Sequence, residues 1–204
     1  MARGPGAQHD AQITQLADAA VRVLERDGLP ALTFRNVAAE AGVSPGRVQH
    51  YLQSSKGLAT ATFRRVQELV GDGVRRELEE GPTSSPREVV AATLRAMIPL
   101  TEQERSMLRV AFVVEQHAIT DPELGEELRV GRMALVEFLA QQLAAADVSG
   151  DGTGRTSDAD GTARRTAITL LATAEGLSAL TLTGTVSGEE ARKLLAESMG
   201  RALA

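Results

Sequence analysis

The chain has 204 residues, a length that suits one ordinary domain or a small domain joined to a larger one. Hydrophobic residues make up 43% and aromatics only 2% (Phe34, Tyr51, Phe63, Phe112 and Phe138, with no Trp), so Ala, Leu and Val must fill the core; this favours close-packed helices and argues against β-sandwiches and barrels. Zero cysteines exclude disulfides, thiolate catalysis and Cys-ligated zinc, and the net charge of −5 divides into about +3 over residues 1–66 and about −8 over the remainder, an asymmetry that can mark a nucleic-acid module.

Residues 1–9 read as a flexible arm without the apolar core of a secretion signal, and Arg3 within it reads as part of a solvated tail, with the minor groove as the alternative. Leu16, Ala19, Ala20, Val23 and Leu24 recur at helical spacing and predict a first helix from about Ala11 to Asp27, stopped at Gly28. Thr33 caps a short second helix through Ala41, Gly42 breaks it, and Ser44-Pro45 restarts helix with a hydroxyl cap followed by proline at the first helical position. A longer fourth helix is expected over Lys56–Glu80, followed by a Gly81–Pro86 linker.

Ser85 with Glu88, Thr101 with Glu104 and Ser187 with Glu190 have capping-box spacing, and Asp121-Pro122 starts a further helix. Residues 148–161 are rich in Gly, Ser, Asp and Thr and read as a mobile loop before helices over Thr162–Thr183 and Ser187–Leu203. The fold class is therefore all-α, with about nine helices. The domain division expected is an arm over 1–9, a helix-turn-helix domain over 10–55 and a larger helical domain over 56–204.

The chemistry-bearing stretch is Thr33–Tyr51, two short helices joined by a tight turn, the pattern of a helix-turn-helix. Ala38 is small where the helices cross, and Gly42 takes a left-handed turn without a Cβ clash. Val37, Ala41, Val43, Val48 and Leu52 point inward, which leaves Pro45, Gly46, Arg47, Gln49 and His50 on the outer side of the second helix, placed for a major groove. Arg47 suits guanine O6/N7 and Gln49 suits adenine N6/N7. Thr33, Ser44 and Tyr51 carry hydroxyls for phosphates; His50 and Arg35 are further backbone candidates.

Leu16–Ala20, Gly28, Thr33, Val37-Ala38, Ala41–Ser44, Gly46, Tyr51 and Leu58 together resemble the N-terminal domain of TetR-family transcriptional regulators. The resemblance covers about residues 10–66, roughly a third of the chain. It implies a three-helix DNA-binding domain and a helical domain that binds an effector and dimerises. Three positions depart from the family pattern. Gln49 replaces an aromatic, Leu52 replaces Phe, and the phosphate-binding lysine falls on Ser55 with Lys56 one place on. Either Lys56 swings across to the phosphate or Ser55 gives a neutral contact.

The resemblance places the effector among the fourth to eighth helices, with Phe63, Gln67, Met97, Met107, Val110, Phe112, Val114 and Phe138 as candidate lining. Apolar residues crowd the last two helices. Ala167, Leu170, Leu171, Ala174, Leu177, Leu194 and Leu195 are the expected two-fold four-helix dimer interface. Glu175 is either a buried acid with a partner or an edge residue of that interface.

No cofactor is implied. Glu115 and His117, two apart on a helix, diverge by about 200° and cannot share a metal. The sequence lacks a phosphate loop, a dinucleotide fingerprint after a strand and a nucleophile elbow, so a non-enzyme is expected. The reading is a cytoplasmic homodimeric regulator, a repressor that an effector of unidentified chemistry releases from a palindromic DNA operator, with no membrane partner. The rivals are a helical small-molecule binder with weak or lost DNA binding, and an activator of the same fold.

Overall fold

The structure is a computed structural model that describes residues 5–80, 85–148 and 159–202. Arg3 and most of the 148–161 loop therefore lie outside the described residues. Those described form α1 (Pro5–Asp27), α2 (Phe34–Ala41), α3 (Pro45–Leu52), α4 (Ser55–Glu80), α5 (Pro86–Arg95), α6 (Glu102–Thr120), α7 (Pro122–Val148), α8 (Ala159–Leu182) and α9 (Gly188–Ala202), with a 3-10 turn at Leu29–Ala31. No strand occurs among them. No helix among them is long and apolar enough to cross a membrane.

The helix ends follow the capping chemistry. Ser85 and Glu88 form a reciprocal box, the Glu88 N–H donating to the Ser85 hydroxyl and the Ser85 N–H donating to the Glu88 carboxylate. Thr101 and Glu104 do the same at the start of α6. At α9 the Glu190 N–H donates to the Ser187 hydroxyl at 3.1 Å. The Asp121 carboxylate accepts from the N–H groups of Glu123 and Leu124, which opens α7.

The chain separates into two compact units, Met1–Leu69 with Arg109–Gly125, and Val70–Leu108 with Glu126–Ala204. The division between these units at 69/70 lies inside α4. The physical reason is that the early turns of α4 bury Leu58, Phe63 and Val66, which makes them part of the first unit.

In the first unit α1 packs on α2 and α3 around Leu16, Ala19, Ala20, Val23, Val37, Ala38, Val48 and Leu52. In the second, α5, α7, α8 and α9 close over Leu94, Ile98, Leu139, Leu143, Leu170, Ala174, Ala191 and Leu195. The Ser178 hydroxyl, buried in α8, donates to the Met97 carbonyl at 2.7 Å and so satisfies a polar group where α8 meets the end of α5. Glu175 is half-buried and pairs with Arg132 of α7 at 3.0 Å.

Candidate nucleic-acid interface

The turn between α2 and α3 is assembled from short-range chemistry. Thr33 caps α2 by accepting from the Asn36 N–H at 3.2 Å, and the Asn36 side-chain amide donates to the Ala31 carbonyl. Gly42 closes α2 at φ 66°, left-handed backbone that costs glycine no Cβ clash. Ser44 caps α3, accepting from the Arg47 N–H at 3.3 Å, and Pro45 follows at the first helical position. Each capping hydroxyl still has its own proton to donate.

Val48 and Leu52 are buried against α1, so the opposite side of α3 is turned out. Ser44, Pro45, Gly46, Arg47, Gln49 and His50 are all exposed, as are Thr33 and Arg35. Tyr51 is half-buried, its ring 5.2 Å from that of His50 in a T-shaped contact and 5.2 Å from that of His9. The Arg47 guanidinium donates through Nη2 to the Gln12 side-chain oxygen at 2.7 Å.

Other cations of this unit hold it together. Arg22 and Arg26 both bond Glu40 at 2.8 Å and so tie α1 to α2. Those bonds, from Arg26 above all, hold the Glu40 carboxyl below the ordinary glutamate range. Arg65 of α4 pairs with Asp18 of α1 at 2.6 Å and with Glu68 at 2.9 Å. Its guanidinium is pushed up chiefly by the Asp18 bond.

At the start of α4, Ser54 accepts from the Gly57 N–H at 3.0 Å, while Ser55 and Lys56 are exposed. The Lys56 ammonium lies 2.9 Å from a Glu123 carboxylate oxygen, a bond that raises its pKa, with Asp121 adding to the effect. A Cβ on Gly57 would overlap the Leu52 carbonyl oxygen, so only glycine lets α4 start this close to the end of α3.

The expected effector residues are divided between the two units. Phe63, Val110 and Val114 are buried and Gln67 and Phe112 half-buried within the first unit. Met97 and Met107 are half-buried in the second unit, where Phe138 lies exposed on α7. The second unit has a cavity of about 490 Å³ between the start of α6 (Leu100, Arg105), the end of α8 (Thr181) and the start of α9 (Ser187, Glu189). None of the eight expected residues lines it.

The expected dimer residues divide between the core of the single chain and its surface. Ala167, Leu170, Leu171, Ala174, Leu177 and Leu195 lie inside the chain's own core, and Leu194 alone of the seven is exposed. The reason is that α8 is apolar on more than one side: the face with Leu170 and Ala174 packs within the chain, and Ile168 and Leu180 remain outside.

Four residues beside the candidate interface escaped the sequence reading. His9, Gln12 and Glu123 act through contacts with α3 or α4 that are distant in sequence, and Gly57 through a close approach of backbone. The Gly-Pro-Gly run at positions 4–6 looks like loop, yet α1 starts at Pro5, where a proline suits the first helical position. The helix therefore begins inside the segment expected to be an arm.

Comparison with known proteins agrees with this architecture. Residues 16–66 match the model of bacterial regulatory proteins of the tetR family, and residues 86–204 match that of the BetI-type transcriptional repressor C-terminal domain. The chain is 25% identical over 134 residues to the HTH-type transcriptional regulator BetI of Vibrio atlanticus, covering 66% of this chain and 67% of the relative. A transcriptional regulator from Rhodococcus sp. RHA1 superposes with a TM-score of 0.75 at 25% identity, over 94% of this chain and 95% of the other. A regulator from Saccharomonospora viridis, solved in complex with choline, does so at 0.72 and 20% identity, over 92% and 95%, a likeness of fold. With the second family model spanning more than half of its length, the chain belongs to the TetR family of transcriptional regulators, with a BetI-type C-terminal domain.

Proposed function

We propose that this regulator is a homodimeric repressor that each subunit seats on a palindromic operator through residues 44–51, and that a small-molecule effector releases. The observation that carries the reading is the outward row Ser44, Arg47, Gln49 and His50, kept exposed while Val48 and Leu52 anchor the same helix. Arg47 reads guanine and Gln49 reads adenine. Thr33, Ser44, Tyr51, His50 and Arg35 hold the backbone, with Pro45 and Gly46 admitting the helix start closely. Lys56 exchanges the Glu123 carboxylate for a phosphate on binding, and Ser55 stands beside it as a neutral contact.

The domain organisation follows the same lines, with a reading head through the early turns of α4 and an effector-binding and dimerising body beyond. The second copy covers Ile168, Leu180 and Leu194, large apolar side chains exposed on α8 and α9. The effector binds within the larger helical domain, and of the expected lining residues Met97, Met107 and Phe138 belong to the second unit. The name of the BetI-type model supports repression, and the choline-bound neighbour makes choline the first effector probe. Such a protein works in the cytoplasm, beside its DNA.

Gel retardation of duplex DNA from the gene's own upstream region tests the reading. Wild type retards the band, Arg47→Ala weakens it by at least about tenfold, and binding falls steeply with salt. A wild-type chain that retards nothing, or an Arg47→Ala chain that binds equally well, overturns it. The first outcome favours the rival, a small-molecule binder whose head no longer holds DNA.

A further inference from the structure

Arginines in the head meet two kinds of partner. Arg22, Arg26 and Arg65 are held by carboxylates, which cancel their charge. Arg47 is held by the neutral side-chain amide of Gln12, at 2.7 Å, across 35 residues of sequence. A neutral acceptor orients a guanidinium without neutralising it.

The amide is itself oriented. Gln12 Nε2 donates to the Gln15 side-chain oxygen at 3.3 Å, one turn further along α1, so the Gln12 oxygen is the end presented to Arg47. The contact also has company. His9 and Gln12, three apart, share one face of α1, and Arg47 and Tyr51, four apart, share one face of α3. His9 meets the Tyr51 ring while Gln12 meets Arg47, so two contacts rather than one set α1 against α3 here. Gln12 sits two turns inside α1 because that helix begins at Pro5.

From this arrangement we infer that Gln12 is a specificity-determining positioning residue, which aims Arg47 at its base from outside the helix-turn-helix. The inference rests on the reading of Arg47 as a base contact. The guanidinium carries five N–H donors. One hydrogen of Nη2 goes to Gln12, and the other, with those of Nη1, remains for the O6/N7 pair of a guanine. Gln12 therefore stays in place while the base is read. It lowers the conformational freedom that a long side chain must give up to make a two-point contact.

The test uses the full chain and a library of randomised palindromic duplexes, from which wild type selects its preferred site. Affinity is then measured on that site and on each single-pair replacement, for wild type, Arg47→Ala, Gln12→Ala, Gln12→Met and the Gln12→Ala/Arg47→Ala double variant. Arg47→Ala identifies the base pair that Arg47 reads, by removing discrimination there. The two Gln12 variants lose about three- to tenfold of discrimination at that pair and none elsewhere, with the salt slope unchanged. The double variant discriminates no worse than Arg47→Ala, because the two residues act as one unit. Gln12→Met keeps the side chain's length and both variants keep helix propensity, and their melting curves match wild type. Unchanged discrimination in the Gln12 variants, or an equal loss on every duplex, overturns the role of Gln12. No loss at any pair in Arg47→Ala overturns the reading of Arg47 instead.

Discussion

Helices α3 and α8 sort their residues by opposite rules. Helix α3 has eight residues, two of them fully buried, and nearly everything polar on it is exposed. Whatever is not core is therefore available to a partner, and polarity alone tells the two apart. Helix α8 has 24 residues and apolar or small side chains on several sides, so polarity does not distinguish the face that packs within the chain from the face left open. Short amphipathic helices announce their function. A long helix, apolar on more than one side, conceals which of its faces does what.

The contrast can be broken most forcefully in the core of the second unit. Leu170→Ala should lower stability by about 2–5 kcal/mol, since its side chain is fully enclosed. Val130→Ala, on the exposed side of α7, should cost far less, and thermal melts of the two variants separate core from surface. Comparable losses would mean that Leu170 is not a core residue.

The next effect lies in the head. Gly57→Ala should cost about 1–3 kcal/mol, because the added methyl has only the Leu52 carbonyl to push against. Calorimetry resolves it as a lowered transition of the first unit. DNA affinity should fall with it, since α3 and α4 can no longer meet in the same place.

A double substitution, Ile168→Glu with Leu180→Glu, tests the proposed interface. Both side chains are exposed, so the fold should survive within about 0.5 kcal/mol each, while sedimentation reports dissociation to monomers at micromolar concentration. A dimer that persists places the interface elsewhere.

The smallest expected effect concerns acid. Because Arg26 and Arg22 hold the Glu40 carboxyl below its ordinary value near 4.5, the head gains stability above that pH and loses it as acid protonates the group. The Glu40→Gln variant should lack this part of the acid dependence, read by circular dichroism between pH 6 and pH 3. The pair is solvent-exposed, so the difference is modest.

How far each part was legible follows from the range of the forces involved. The caps at Thr33, Ser44, Ser85, Thr101 and Asp121 act over three residues, and each appears where its spacing predicts. The inward set Val37, Val48 and Leu52 is likewise a matter of helical period, and it leaves Arg47, Gln49 and His50 outside. By contrast, Gln12, His9 and Glu123 matter through side chains that meet across tens of residues, and no local spacing signals them.

The sequence by itself determined the helical class, the short helix-turn-helix and which of its residues face outward, because capping and amphipathic period are local and strong. Tertiary structure alone decided three things: where the first compact unit ends within α4, which side of α8 is core, and that α1 reaches back from Pro5 to hold Arg47 and Tyr51. Each depends on which surfaces compete for the same apolar contact or polar partner. That competition is settled only when the whole chain has packed.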